Sequence, residues 1–303
     1  MSTQIYKLTN NVSLLKANRV DNKYYLSGGM FVKNIFVILM ALAMLTAPLE
    51  TLGGLPIGAT AEVPIIMYHA LEDNPSNRWE ITVAEFESDL QWLSENGYTA
   101  VFMQDVIDFV HLGKPLPEKP IVLSFDDGRQ PAIDIMLPML EAHDSRITMA
   151  IIGAMTDKYT QIAMESNRTQ HPHMTWDCVR KAIASGRVEI QSHTYDLHGA
   201  RGVGKKNGED LCAYKARLLG DLEKFAQVLV DNVGLVSNCL TYPLGILTEV
   251  SDEIIRDAGY LASLSCYEKP NTITVGDYNG LFALNRYLRP PHKSSESFFR
   301  GIL

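Results

Sequence analysis

The chain has 303 residues, of which 46% are hydrophobic and 20% are charged, a composition typical of a folded protein with room for one large α/β domain. The formal net charge is −8, and because the first 61 residues carry five basic and two acidic side chains, residues 62–303 carry −11. Such an acidic surface disfavours nucleic acid or an anionic membrane as the main partner. The four cysteines form no Cys-x-x-Cys pair, which disfavours a zinc knuckle or a thioredoxin-like centre. We expect the four cysteines to be free thiols, with a single disulfide as the alternative.

A basic and then strongly apolar stretch near the N-terminus is typical of an export signal. Lys33 precedes an apolar run over 35–47, and the small residues Ala59 and Ala61 follow it. This order predicts a signal peptide over 30–61 that is cleaved after Ala61. The run is shorter than the roughly 20 residues that a membrane-spanning helix needs, so an uncleaved N-terminal anchor is the second choice.

The predicted signal divides the chain into three parts. Residues 1–29 precede it and are polar without a periodic pattern, so we expect an unstructured or non-native extension, with translation starting at Met30. Residues 62–303 contain no sequence repeat and no low-complexity linker, which predicts a single catalytic-size domain. The mature protein is expected to be secreted or attached to the cell surface, with a membrane link only through an uncleaved signal. The oligomeric state is left open.

From residue 63 onward, short apolar runs alternate with helical patterns. The first strand, 63–68, is followed by a helix that begins at a Thr82-x-x-Glu85 capping box and ends near Gly97. Further strands are predicted at 98–103, 121–125, 147–152, 187–191, 238–242, 260–265 and 282–288, and further helices at 104–112, 131–142, 176–185, 212–231 and 248–258, with a loose segment over 153–174. The alternation predicts an α/β fold with a parallel sheet covered by helices. About seven such units favour a single barrel over an open sheet.

Polar side chains follow four of the predicted strands at the point where each strand ends. They are His69, the pair Asp126 and Asp127, His193, and the pair Tyr242 and Pro243. In a parallel α/β barrel the carboxyl ends of the strands converge on one face, where the functional loops lie. Histidines together with carboxylates are ligands that zinc prefers. The sequence therefore indicates a metal site at this face.

The two histidines of the stretch SHTYDLH support that interpretation. His193 and His198 are five residues apart, and on a helix such residues point about 140° apart, so the pair suits a turn after a strand. Two imidazoles and one carboxylate leave a fourth metal position open, as in catalytic zinc sites. Of Asp126 and Asp127, one can bind the metal while the other accepts a proton. Gly128 lets the backbone turn sharply after them, although Asp-Asp-Gly without the histidines would suit a solvated turn equally well.

At these residues the sequence resembles the polysaccharide deacetylases, the NodB-homology or carbohydrate esterase family 4 enzymes. SFDDG at 124–128 is similar to the first motif of that family, and SHTYDLH at 192–198 is similar to the second. The resemblance covers most of residues 63–290 as an order of strands and helices. It implies a distorted (β/α) barrel of the polysaccharide deacetylase type and the removal of N-acetyl groups from a glycan.

The resemblance also implies roles for the residues that match. Asp127, His193 and His198 would bind a divalent metal, commonly zinc. Asp126 would be the general base that takes a proton from the attacking water. The third motif is matched only in part, because TYPLG at 241–245 lacks the arginine that normally precedes it. Backbone N–H groups around this motif are expected to hold the oxyanion, at Tyr242, Pro243 and Leu244.

Two roles have no matching motif. Arg286, in LNRYL, is predicted to replace the missing arginine beside the base, the alternative being a surface charge on an edge strand. His69, in IMYHAL, is predicted to be the general acid in preference to the late His292. The early MYH with the late NRYL resembles a circularly shifted subgroup, which includes enzymes acting on poly-β-1,6-N-acetylglucosamine. Trp79 is a candidate for stacking on a sugar, whereas Trp176 is expected in the core and His173 in an ordinary loop.

The sequence therefore predicts a metal-dependent hydrolase that removes N-acetyl groups from an extracellular N-acetylglucosamine polysaccharide of the β-1,6-linked type. Deacetylation of peptidoglycan and an inactive carbohydrate-binding homologue are the alternatives. A two-carboxylate glycosidase is disfavoured, because adjacent aspartates could hardly flank a bond with the separation of about 5 Å or more that such enzymes need.

Overall fold

The computed structural model describes residues 54–166 and 170–303, together with two short strands, Arg19–Val20 and Lys23–Tyr24, which pair antiparallel. The chain divides into two compact units, residues 1–53 and 54–303. Apart from the two short strands, the predicted extension lies outside the described residues, as does the predicted signal up to residue 53. None of the helices within the described ranges combines the length and the apolar character needed to cross a bilayer.

Eight parallel strands form the central sheet of the larger unit. They are β1 (Ile65–Tyr68), β2 (Thr99–Val101), β3 (Pro120–Phe125), β4 (Ile147–Ile151), β5 (Val188–Ser192), β6 (Cys239–Thr241), β7 (Ala262–Leu264) and β8 (Tyr287–Leu288). The strand order is β7-β6-β5-β4-β3-β1-β8, with β2 beside β3. A parallel bridge between Leu264 and Leu284 links the segment before β8 back to β7. The sheet thus closes on itself, and the predicted distorted α/β barrel is confirmed.

The helices that cover the sheet lie between successive strands along the chain, except the last helix, which follows the last strand. They are α1 (Val83–Glu95), α2 (Met103–Leu112), α3 (Gln130–Ala142), α4 (Gly153–Glu165), α5 (Trp176–Ala184), α6 (Leu211–Val233), α7 (Ser251–Asp257) and α8 (Ser295–Phe299). Single 3-10 turns occur at Pro243–Gly245 and Asn279–Leu281. The capping box at the start of α1 is present, because the Thr82 hydroxyl accepts from the Glu85 N–H while the Glu85 carboxylate accepts from the Thr82 N–H.

Helix α4 replaces most of the loose segment that was predicted over 153–174, so that prediction was wrong. The helix has no capping side chain at Ile152, and only Gly153 and Thr156 are buried in it. The helix therefore buries few of its side chains completely. Contacts from distant residues hold it instead, since Trp176 Nε1 and Tyr195 Oη donate to the two carboxylate oxygens of Asp157.

The alternation of side chains along β3 directs Asp126 towards the barrel interior. Ile121 and Leu123 pack in one apolar cluster with α1, α3 and α5, whereas Val122 packs in a second cluster on the opposite face. Successive strand residues point to opposite faces, so Ser124 and Asp126 share the face of Val122. All six residues of β3 are buried, which fixes the strand that carries the motif.

Residues ahead of the predicted boundary at 62 belong to the same unit as the barrel. The strand Thr60–Glu62 pairs antiparallel with Thr272–Thr274, and the Leu55 N–H donates to Gly113 O at 2.9 Å. Cleavage after Ala61 stays a prediction, as does the boundary itself. A cut at that bond would remove two of the three residues of this strand.

Candidate metal centre and catalytic cleft

The polar residues predicted at the strand ends meet at one edge of the barrel. A cavity of about 360 Å³ opens there, and six of the predicted site residues line it: His69, Asp126, Asp127, His193, His198 and Leu244. The predicted residues Tyr242, Pro243 and Arg286 are not among its lining residues. His69 directly follows β1, the aspartates follow β3, and His193 follows β5. The convergence expected at the carboxyl ends of parallel strands is thus present.

Three side chains in this cavity form a ligand set for a metal ion. Asp127 Oδ1 lies 3.1 Å from His198 Nε2 and 3.6 Å from His193 Nε2. One ligand atom from each of these three residues lies within 4.8 Å of the others. His193 Nδ1 donates to the carbonyl oxygen of Thr241 at 2.8 Å, which leaves the lone pair of Nε2 facing the other two residues.

The same atoms are poorly matched to one another as hydrogen-bond partners. Asp127 Oδ1 is buried and, among the described residues, receives no aligned hydrogen bond despite the nearby imidazoles. A buried acceptor without a donor is costly, whereas a cation placed between the three atoms would satisfy it. One carboxylate and two imidazoles are a donor set that suits a divalent metal, so the residues present fit such an ion.

The backbone around these ligands is held in an uncommon conformation. Asp127 and Thr194 have φ values of 71° and 70°, in the left-handed region that non-glycine residues seldom occupy. Gly128 follows at φ 67°, and a Cβ there would lie 2.9 Å from Ile151 Cγ2, so only glycine fits. Each left-handed non-glycine residue costs on the order of 1–3 kcal/mol, a strain that concentrates at functional sites.

A segment that was predicted to be an ordinary loop holds the turn at Asp127 and Gly128 in place. His173 Nδ1 donates to the carbonyl oxygen of Asp127 at 2.9 Å, and the Met174 N–H donates to Gly128 O at 2.8 Å. The His173 ring also stacks on Tyr159, with centroids 5.6 Å apart. No local signal could have revealed this support, because His173 and Asp127 are 46 residues apart in the chain.

The second aspartate of the motif is paired with the arginine that was predicted to lie beside it. Arg286 Nη1 and Nη2 donate to the two carboxylate oxygens of Asp126 at 2.7 and 3.0 Å. Arg286 Nε donates to the carbonyl oxygen of Ser265, and Nη1 also reaches the Ser124 hydroxyl. The arginine is fully buried, so the alternative of a surface charge on an edge strand does not hold.

This pairing determines the charge state of Asp126. Burial raises the pKa of its carboxyl group, but the positive charge and the hydrogen bonds of Arg286, together with the neighbouring imidazoles, lower the pKa further than burial raises it. The net effect is a pKa below the ordinary value of an aspartate. Asp126 is therefore an ionised carboxylate at neutral pH and able to accept a proton.

His69 faces the same carboxylate from the end of β1. Its Nε2 lies 3.8 Å from Asp126 Oδ2, and its ring centroid lies 4.8 Å from that of Trp79. Burial lowers the pKa of the imidazole, although Asp126 and Asp127 oppose this. His292 does not line the cavity, and its backbone N–H donates to Glu85 at the start of α1. Of these two histidines, His69 is the one placed to exchange protons with Asp126.

The three residues predicted to hold an oxyanion differ in whether they have a backbone N–H group that is free to donate. The Tyr242 N–H donates to Leu264 O at 3.0 Å, and Pro243 has no N–H to offer. Leu244 lines the cavity with a φ of 59°, and its N–H has no partner within the described part of the chain. The prediction for this segment therefore narrows to the backbone of Leu244.

The cavity also contains residues for which sequence reasoning gave no role. Arg129 and Cys266 line it, and Cys266 Sγ lies 3.5 Å from Arg286 Nη2. Cys266 comes two residues after β7, so the rule that selected the other strand ends could have selected it too. All four cysteines are free thiols, as expected. Trp176 is buried, as expected, whereas Trp79 forms part of the cavity wall.

Comparison with known proteins agrees with this site. The sequence profile of a family described as polysaccharide deacetylase matches residues 113–263, which contain both aspartates, His193 and His198. A poly-β-1,6-N-acetyl-D-glucosamine N-deacetylase of Escherichia coli K12 is 26% identical over 217 residues, covering 64% of this chain and 32% of that protein. An enzyme of the same name from Staphylococcus aureus N315 is 23% identical over 203 residues, covering 66% of each chain. The chain spans about a third of the length of the Escherichia coli relative.

Solved structures share the fold. A deacetylase of Streptococcus pyogenes in complex with acetate has a TM-score of 0.67 at 18% identity, covering 81% of this chain and all of that one. A de-N-acetylase of Aggregatibacter actinomycetemcomitans has a TM-score of 0.67 at 24% identity, with 80% of this chain covered and all of that one. With the matching profile, the barrel and the grouped motif residues, the chain belongs to the polysaccharide deacetylase family, a family of N-deacetylating hydrolases.

Proposed function

We propose that this protein hydrolyses the N-acetyl groups of an N-acetylglucosamine polysaccharide, with a β-1,6-linked glycan as substrate. The observation that carries the proposal is the placement of the Asp127, His193 and His198 ligand set directly beside the paired base Asp126. The names of the Escherichia coli and Staphylococcus aureus relatives support the choice of glycan. An extracellular glycan also requires export, which the signal predicted over 30–61 would provide.

The cofactor that we propose is Zn²⁺, because one carboxylate oxygen and two imidazole nitrogens are typical of catalytic zinc sites with an open position. A cation held by these residues would polarise the acetyl carbonyl and make a water molecule more acidic. The remaining chemistry falls to the residues of the chain itself.

Asp126 acts as the general base. It is ionised, and the bidentate contact with Arg286 fixes the plane of its carboxylate. As water attacks the acetyl carbonyl carbon, the water proton passes to Asp126. The backbone N–H of Leu244 is available to the oxygen on which negative charge develops.

His69 completes the proton transfer. Since burial lowers its pKa, the imidazole is neutral before the reaction and has to gain the proton that it later donates. Asp126 Oδ2 is its neighbour at 3.8 Å, so the proton taken from water can move on to His69 Nε2. His69 then protonates the sugar nitrogen as the C–N bond breaks, and acetate and a free amine are the products.

The wall of the cavity suits a sugar ring. Trp79 is 42% exposed and lies beside His69, where a flat apolar face can pack against a pyranose. The cavity volume of about 360 Å³ lies in the range of pockets that hold small ligands. One N-acetylglucosamine unit can therefore sit between Trp79 and the metal ligands.

The direct test is acetate release by the purified full chain from β-1,6- and β-1,4-linked N-acetylglucosamine oligomers. We expect release that stops on chelation, returns with added Zn²⁺ and favours the β-1,6 linkage. Preference for the β-1,4 linkage would instead indicate a wall glycan as substrate. Binding of either oligomer without any acetate release from the metal-loaded protein would contradict the proposal and identify a carbohydrate-binding homologue.

Arg286→Met is expected to move the acid limb of the pH–activity profile to higher pH. Removing the guanidinium removes a charge that lowers the pKa of Asp126, while the burial that raises this pKa remains. The base then becomes protonated at a higher pH than in the wild type. The measurement is kcat/KM for acetate release as a function of pH.

Arg289→Met is the matched control for this variant. Arg289 is equally buried and donates to both carboxylate oxygens of Asp89 at 2.8 and 3.0 Å, but it does not line the cavity. Both variants are expected to unfold at lower temperature, whereas only Arg286→Met should move the acid limb. An equal displacement in both variants would show that the effect comes from general loosening of the barrel.

A further inference from the structure

A second cavity of about 450 Å³ adjoins the catalytic one. Three residues line both cavities, namely Asp127, Arg129 and His198, so the two spaces meet at the metal ligands. Ile152, Met155 and Gly199 are among the residues that form the far wall. If one sugar of a glycan occupies the catalytic cavity, the adjacent sugar has a space of similar volume on the other side of Arg129.

The backbone of Arg129 is held by pairing with another segment, whereas its side chain has no ion-pair or hydrogen-bond partner among the described residues. Its backbone forms an antiparallel bridge with His173, and it is the N-cap residue of α3. Seven arginines of the described ranges lie within ion-pair distance of a carboxylate. Arg129 is half-buried at the junction of the two cavities, and within the same ranges its guanidinium has neither an ion pair nor a hydrogen bond.

The acidic groups of the two cavities do not supply the missing partner. Glu80 lines the catalytic cavity, but its carboxylate accepts from the backbone N–H and the hydroxyl of Ser76 at 2.7 and 2.9 Å. Asp196 lines the second cavity and is exposed. Among the described residues, neither of these carboxylates lies within ion-pair distance of Arg129, and the same holds for Asp126 and Asp127, which also line the cavities. The charge of Arg129 contributes to lowering the pKa of Glu80, but without direct contact. The guanidinium therefore keeps its full set of donors for a ligand that enters between the cavities.

We propose that Arg129 binds a carboxylate carried by the glycan on the sugar next to the one that loses its acetyl group. This inference rests on the proposed deacetylation and adds an acidic substituent to its substrate class. A planar guanidinium matches a carboxylate with two parallel hydrogen bonds, which gives geometric selection as well as charge. Because Arg129 is half-buried, solvent screens its attraction to a carboxylate less than at an exposed site. Because its backbone is already fixed, ligand binding costs less conformational entropy.

An ether-linked carboxylic acid and a half-ester of a dicarboxylic acid are two substituents that would bring a carboxylate to this position. The test compares three β-1,6-linked N-acetylglucosamine oligomers, one unmodified, one carrying carboxymethyl ethers and one carrying succinyl half-esters. Wild type is expected to have a higher kcat/KM on at least one acidic oligomer than on the neutral one, and the preferred acid identifies the substituent. This preference should shrink with added salt.

Arg129→Gln is expected to lower kcat/KM on the preferred acidic oligomer by about tenfold or more, because KM rises. On the neutral oligomer, kcat/KM should stay nearly unchanged. Arg129→Lys should recover only part of the loss, because an ammonium group cannot form the two parallel hydrogen bonds. Arg201→Gln is the control for charge alone, since Arg201 is exposed and lines neither cavity. An equal loss on neutral and acidic oligomers, or no preference in the wild type, would overturn the inference.

A binding measurement separates this inference from the proposed reaction. Calorimetry on the zinc-loaded protein with Asp126→Asn follows each oligomer without turnover, with and without the additional Arg129→Gln change. Weaker binding of the acidic oligomer alone in the double variant supports the role of Arg129, even if no oligomer is deacetylated by the wild type. Identical affinities in the single and double variants contradict that role, even if deacetylation is confirmed.

Discussion

Asp126→Asn is expected to lower kcat/KM for acetate release by about 10² to 10⁴, the usual contribution of a positioned general base. The amide of asparagine retains the shape of the carboxylate but cannot take a proton from water. Bound metal should remain, because Asp127, His193 and His198 are untouched. Acetate release and metal content measured on the same preparation test both parts of this expectation.

The loss of a buried charge in this variant needs its own control. Arg286 would keep its positive charge without a counter-ion, and removing one partner of a buried pair costs about 3–5 kcal/mol of stability. Asp89→Asn makes the same change in a second buried pair, with Arg289, away from the cavity. It should be destabilised to a similar extent and remain active. If Asp89→Asn lost as much activity as Asp126→Asn, stability and not base catalysis would explain both losses.

His193→Ala is expected to abolish both metal retention and acetate release. His193 is buried, and its orientation is fixed by the hydrogen bond to Thr241 O, so no neighbouring side chain can easily take over its Nε2 position. Metal content after gel filtration, determined by elemental analysis, is the primary measurement. His69→Ala is the comparison within the same cavity and should keep its metal while losing activity. Full metal content in His193→Ala would rule out the assigned ligand set.

The same ligand set predicts metal release in acid. The Asp127 carboxylate, 3.1 Å from His198 Nε2, raises the pKa of His198 above the ordinary value. A proton therefore competes with the metal for this imidazole over a pH range that extends higher than for a free histidine. Protonated His198 has no lone pair to offer. Metal content measured over a falling pH series should therefore decrease, and acetate release should decrease with it.

Much of this structure can be predicted from local patterns, because strands and helices of this fold carry their own signals. The buried run of β3 and the capping box of α1 correspond to residues that are adjacent or three apart in the chain. Asp126, Asp127 and His193 directly follow strands whose carboxyl ends meet at one face, and His198 lies five residues after His193, so the local sequence predicts all four. Helix α4 was not predicted, because it has no capping side chain at its start and is held by hydrogen bonds from the distant residues Trp176 and Tyr195 to Asp157.

The parts of the site that escaped prediction depend on contacts between distant residues. The support that His173 gives to Asp127 and the unpaired state of Arg129 follow from how separate loops meet. Similarly, the sequence does not reveal that the Tyr242 N–H donates to Leu264 O. The predicted oxyanion segment therefore included a residue whose N–H group is not free. Arg286 could be proposed only because it lies near the end of a predicted strand, and its pairing with Asp126 depends on how β8 lies beside β1.

The order of synthesis determines when the two buried aspartate–arginine pairs can form. Asp89 and Asp126 lie in the first half of the chain, whereas Arg289 and Arg286 lie at the last strand of the barrel. A polypeptide made from its N-terminus thus contains both carboxylates long before either guanidinium exists. The Asp126 carboxylate is ionised in the unfolded chain as well, but Arg286 fixes its orientation only after β8 has taken its place. On the proposed mechanism, a chain that is still being synthesised therefore has no positioned base and cannot act on glycan prematurely.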